Sequence, residues 1–205
     1  MFVYRRNATL VLAVLFAAAA VLVAAGVFSD LDQWAVDHAM PGAHFTKSSE
    51  SFVHALIPLY ATRWSAPWSV AVNVVTLPAS FLVALAIVFA CSRRLGAALL
   101  AGVCVELLCK ETLDKPALYD GSFHIVPFDS SFPSGHTLRT VLVAIAVAHV
   151  RPRLRIPAAL WAAASLALLL LAGWHTPSDI LGGVLLGLLC ARAAGALRRR
   201  RLACA

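Results

Sequence analysis

Apolar residues in this chain run in long unbroken stretches, and the polar positions gather between them. Six stretches approach the roughly 20 helical residues needed to cross a hydrocarbon core: Ala8–Phe28, Trp68–Cys91, Leu95–Lys110, Ser134–Val150, Ile156–Gly173 and Pro177–Leu197. The pattern predicts an all-α protein, a six-transmembrane-helix bundle forming one integral membrane domain over residues 1–205. The third stretch is the shortest, and it contains Glu106 and Lys110. Two connecting segments are too polar to span, Ser29 to about Pro67 and Glu111 to Pro133. Within the first, Phe52, Val53, Leu56, Ile57 and Tyr60 recur at helical spacing near Trp34, Trp64 and Trp68, which predicts short interfacial helices lying on the bilayer. The second is 23 residues without periodicity, a length that is uncommon unless the loop has a function.

Composition agrees with the pattern. Of 205 residues, 61% are apolar and 13% charged, with a mean hydropathy of +0.83, which excludes an ordinary water-soluble domain. A cleaved signal peptide is an alternative for the first stretch, because Arg5 and Arg6 precede an apolar run ending near Ala24, Ala25 and Gly26. Five remaining spans would break the charge pattern, however.

Twelve of the 17 Lys and Arg residues fall at alternate span ends: Arg5 and Arg6; Arg93 and Arg94; Arg151, Arg153 and Arg155; Arg192 and Arg198 to Arg201. The positive-inside rule makes those ends cytoplasmic, with both termini inside and an even number of crossings in a cell (inner) membrane. The other five, Lys47, Arg63, Lys110, Lys115 and Arg139, lie at or near the outer ends. The net charge of +7 therefore reads as topology anchoring beside anionic lipid, not as nucleic-acid binding. Five cysteines without metal-ligand spacing read as small apolar packers.

Three polar clusters are not explained by membrane insertion alone, and the topology puts all three at the outer face. The first, Lys110-Glu111-Thr112-Leu113-Asp114-Lys115-Pro116, closes the third span. It has a plain structural reading as a helix end, with Glu106 and Lys110 forming a self-neutralising i,i+4 pair. The second, Pro133-Ser134-Gly135-His136, opens the fourth span. Ser134 and Gly135 leave backbone N–H groups open at the positive end of a helix, a favourable place for phosphate, with His136 beside it. The third, His175-Thr176-Pro177-Ser178-Asp179, opens the last span. Thr176, Pro177 and Asp179 would serve as helix capping, but capping leaves His175 unexplained. A carboxylate four residues after a histidine can accept its ring N–H and free the other nitrogen to attack phosphorus.

In this order and on one face, the clusters resemble the type 2 phosphatidic acid phosphatase superfamily, the membrane histidine phosphatases that include bacterial lipid and polyprenyl-pyrophosphate phosphatases. The family pattern is a lysine, six residues and Arg-Pro; then PSGH; then Ser-Arg, five residues, His, three residues, Asp. The resemblance implies that His175 is the nucleophile that becomes a phosphohistidine, that Asp179 orients it, and that His136 is the acid and then the base. It implies that Lys110, Lys115, Ser134 and Gly135 hold phosphoryl oxygens and that no metal or other cofactor takes part. The implied substrate is a lipid phosphate or polyprenyl (pyro)phosphate reached from the bilayer on the extracytoplasmic side.

Two departures stand out. The family's Arg-Pro would fall at Ala117 and Leu118, whereas Lys115-Pro116 lies two positions earlier. The third-motif Ser-Arg is replaced by Leu168 and Leu169. Arg139, three residues after His136 on the same helix face, is expected to take over the missing arginine's part. Two other functions fit the same residues: a lipid phosphotransferase using the same intermediate, and a catalytically degenerate membrane binding or assembly subunit. The oligomeric state has no signature in the sequence.

Overall fold

The computed structural model describes residues 2–40, 44–45, 75, 81–113, 115, 118–119 and 130–202. They form seven α-helices: α1 Phe2–Ala24, α2 Ser29–Ala39, α3 Phe81–Cys91, α4 Arg93–Thr112, α5 Gly135–Val150, α6 Arg155–Leu171 and α7 Pro177–Leu202. A two-residue antiparallel pairing of His44–Phe45 with Leu118–Tyr119 ties the two long loops together. The predicted interfacial helix at Ser51–Tyr60 lies outside the described residues. Another short helix, α2, occupies the beginning of that loop.

Among the described residues three helical segments are long and apolar enough to cross a membrane: Asn7–Ala24, Pro152–Leu171 and Pro177–Gly195. Helices α3 and α5 are apolar but shorter. Helix α4 has the length, at 20 residues, but carries Arg93, Arg94, Glu106, Lys110 and Glu111. Large apolar side chains such as Leu10, Leu82, Ile156 and Leu160 point outward, as lipid-facing positions do. The chain is a helical membrane protein.

Local chemistry sets the helix ends. Ser92 caps α4 by accepting the Leu95 N–H at 3.5 Å, and Ser134 caps α5 by accepting the Thr137 N–H at 3.2 Å. Helices α1 and α6 both end in Schellman turns with glycine in the left-handed region, Gly26 at φ 72° and Gly173 at φ 73°. In the second turn the Trp174 N–H donates to the Leu169 carbonyl and the Gly173 N–H to the Leu170 carbonyl, both at 3.0 Å. Trp174 then packs with Leu169 and Ala172, which fixes the direction in which the chain leaves toward His175.

Helices α5 and α7 form the centre. α7 packs on α1, α4 and α5, while α5 also packs on α3 and α6. Close approach of the central pair depends on absent side chains. A Cβ on Gly183 would lie 2.5 Å from the Ser134 carbonyl oxygen, and one on Gly187 would lie 2.9 Å from a Val141 methyl. Phe16, Val88, Leu99, Phe132, Leu142 and Leu186 belong to the main apolar core. Residues 106–113, 115, 130–139 and 174–179 meet at one end of the bundle; Arg93 and Arg94 begin α4 at the other, roughly 25 Å away at 1.5 Å per residue.

Candidate functional site

Backbone geometry brings the second and third polar clusters together before any side chain is considered. The Ser134 N–H donates to the Asp179 carbonyl at 3.0 Å, so the first turns of α5 and α7 are joined directly. His136 then projects from α5 and His175 from the turn after α6. Their ring centroids are 5.8 Å apart with planes inclined by 52°, and Trp174 meets His136 edge-on at 5.6 Å.

Asp179 is fully buried. Its Oδ2 accepts the Thr176 N–H at 3.0 Å, which is the helix-capping role, and lies 3.7 Å from His175 Nδ1. That second separation is too long for a hydrogen bond, and among the described residues Nδ1 has no other hydrogen-bond partner. Asp179 therefore caps the helix and faces the imidazole, but at this separation it does not accept the ring N–H as expected from sequence. Burial pushes the His175 imidazole below its ordinary value; Asp179 opposes the shift, Lys110 adds to it, and Glu106 opposes it. The shift favours the neutral ring, in which Nε2 carries the lone pair if Nδ1–H faces Asp179.

Lys115, expected among the phosphate ligands, has its ammonium surrounded by other partners. It donates to Thr176 Oγ1 at 2.6 Å, to Ser178 Oγ at 2.7 Å and to Asp179 Oδ1, and lies 3.1 Å from Asp32 Oδ2. Three donors are thus occupied at the back of Asp179. Asp32, on α2, also accepts the Ser178 N–H at 3.1 Å and its hydroxyl at 2.6 Å, while Ser131 donates to Asp179 Oδ1 at 3.0 Å. The sequence reading missed Asp32 and Ser131. Asp32 left one usable signal, as an acidic residue on a helix whose remaining buried positions, Ala35 and Val36, are apolar.

Lys110 and Arg139 converge on Glu106, which the sequence reading had treated only as Lys110's neutralising neighbour. Lys110 Nζ is 3.0 Å from Glu106 Oε1, and Arg139 Nη1 is 3.6 Å from Oε2. Both basic residues are largely buried and stand beside the N-terminus of α5, where Ser134 and Gly135 lie. Leu169, at the place of the family's arginine, is fully buried against Ala172 and Trp174. Among the described residues no three or more His, Cys, Asp or Glu side chains converge as metal ligands.

The structure thus defines a class, a helical membrane bundle that gathers two imidazoles, a buried carboxylate and cations around a helix N-terminus at one end. The family model of the PAP2 superfamily matches residues 94–202, more than half of the chain, and the chain belongs to that superfamily. The fold is similar to that of a transmembrane PAP2-type phosphatidylglycerolphosphate phosphatase from Bacillus subtilis. The TM-score is 0.62 at 17% sequence identity, over 94% of this chain and 96% of that one. No curated protein matches the sequence.

Proposed function

We propose that the protein is a phosphatase that releases phosphate from a lipid phosphate or polyprenyl (pyro)phosphate through a phosphohistidine. The observation that carries the reading is the pairing of His136 and His175 with ring centroids 5.8 Å apart, on separate elements, beside a helix N-terminus flanked by Lys110 and Arg139.

In the first step the Nε2 lone pair of neutral His175 forms a bond to phosphorus as the bond to the lipid oxygen breaks. His136, whose protonated form the substrate's negative charge favours, gives that oxygen its proton. In the second step His136, now neutral, takes a proton from water as the water oxygen bonds to phosphorus and the N–P bond breaks. In-line transfer requires the attacking and leaving atoms on opposite sides of phosphorus, and two imidazoles facing each other across a gap supply that. Asp179 holds the His175 tautomer and stabilises its positive charge in the intermediate, closing its 3.7 Å gap when substrate arrives. Lys110, Arg139 and the Gly135 backbone neutralise the phosphoryl oxygens, the Ser134 N–H being engaged by the Asp179 carbonyl instead of open as expected from sequence, and Arg139 stands in for the arginine replaced by Leu169. Lys115 acts through Asp179, given the four partners its ammonium already has.

The chain crosses the bilayer six times as one domain, with both termini cytoplasmic and the site extracytoplasmic. The support is the separation of Arg93, Arg94, Arg151, Arg153 and Arg155 from the histidine end. The experiment is a phosphate-release panel in detergent over phosphatidic acid, phosphatidylglycerol phosphate, polyprenyl pyrophosphate and a polyprenyl-linked sugar phosphate. His175→Ala serves as the blank and Arg139→Ala runs beside it. Both variants are expected to lose release from whichever lipid the wild type hydrolyses. Wild-type release by His175→Ala ends the phosphohistidine reading; a labelled lipid product in place of free phosphate turns the assignment to phosphotransferase.

A further inference from the structure

Glu106 is a charged side chain at this site that the proposed reaction does not use. It is 4% exposed, yet among the described residues its Oε2 accepts no hydrogen bond and has the Arg139 guanidinium 3.6 Å away, and a buried carboxylate oxygen without a hydrogen bond is costly. A glutamate present only to neutralise Lys110 could stay on its own helix face. This one also reaches across to α5: Arg139 pairs with it, and a Cβ added to Gly135 would collide with its carboxylate. The group thus rests against the first residue of α5, between both cations and at the positive end of the helix dipole. That is where an anion would be held.

Resting on the proposed phosphatase reading, we infer that Glu106 is an internal anion that occupies the phosphate end of the pocket, and that a phosphoryl group must take Lys110 and Arg139 from it to bind. The competition selects substrates by charge. A terminal phosphate monoester or diphosphate brings two or more negative charges and outcompetes one carboxylate for two cations. A phosphodiester headgroup brings a single charge, gains little by the exchange, and is left out. The bilayer around the site is full of such diesters, so a built-in competitor supplies discrimination that attraction to phosphate alone cannot.

The test measures binding instead of turnover, with inorganic phosphate and dimethyl phosphate titrated at pH 8 into detergent-purified full-length wild type, Glu106→Gln and Glu106→Asp. Glu106→Gln keeps the shape and removes the charge. It is expected to bind phosphate at least about tenfold tighter and to gain measurable affinity for dimethyl phosphate, since a unit charge a few ångströms away is being deleted. Glu106→Asp withdraws the carboxylate by one methylene and is expected to move both affinities the same way by less, which keeps the test available if the glutamine variant misfolds. Equal or weaker phosphate binding by whichever variant melts at the wild-type temperature overturns the inference, as does failure of wild type and folded variants alike to bind phosphate. The same titrations in a His175→Ala background separate the two ideas. Persistence of the Glu106 effect in that background, together with no phosphate release by the wild type from any lipid of the panel, leaves the inference standing and removes the phosphatase reading.

Discussion

Replacing Lys115 with methionine distinguishes a residue that organises Asp179 from one that touches phosphate. The substitution nearly keeps the side chain's volume and deletes its charge. It leaves Asp32, 3% exposed, and Asp179, fully buried, without their shared cation. Each carboxylate keeps two partners: Asp32 the Ser178 N–H and hydroxyl, Asp179 the Thr176 N–H and the Ser131 hydroxyl. What is lost is the ammonium alone. Removing one member of a buried ion pair typically costs about 3–5 kcal/mol because the other charge is stranded, and here two are stranded. For a chain of this size about 1 kcal/mol moves the melting temperature by 2–4 °C, so a fall of about 6–20 °C is expected. Intrinsic tryptophan fluorescence during heating in detergent would read it. Asp32→Asn added to Lys115→Met should recover part of the loss, since it removes one of the two stranded charges. A Lys115→Met protein that melts within about 2 °C of wild type while its KM for a lipid phosphate rises would refute the reasoning and make Lys115 a phosphate ligand.

The remaining predictions concern the nucleophile and the helix contact. On the proposed mechanism His175 attacks only when neutral, and burial lowers its pKa, so kcat/KM is expected to fall with acid only below pH 6.5, the ordinary histidine value; Asp179→Asn, which removes an upward contribution, should move that limb lower still. An acid limb above pH 6.5, or one that rises in Asp179→Asn, contradicts the assignment. Gly183→Ala places a methyl 2.5 Å from the Ser134 carbonyl and 2.7 Å from Thr137 Cβ, where backbone cannot yield, and is expected to cost about 1–3 kcal/mol. Gly195→Ala on the same helix meets nothing within 4 Å and serves as the control; equal melting temperatures for the two variants would show that α5 and α7 are not held by that glycine.

The helical membrane class was legible because a bilayer forces it: long apolar runs have no other way to satisfy their backbone there. Helix starts at Ser134 and Pro177 were also readable, since capping uses local residue types. So was the gathering of His136, His175 and Asp179 at one end, because antiparallel helices joined by short connections return the chain to the same side. The number of crossings was less legible: α4 mixes span length with five charged residues, and most of the stretch before α3 lies outside the described residues.

What only the tertiary structure decided is which charge meets which. Lys115 lies more than 60 residues from Asp179, and Asp32 is 146 positions from Ser178, so no spacing rule could join them. Glu106 and Lys110 are an i,i+4 pair that any helix would form; that Glu106 also faces Arg139 and Gly135 depends on how α4 lies against α5. Charge partners in a membrane interior are chosen by the scarcity of water and the orientation of packed helices, and neither is written in the order of residues along one helix.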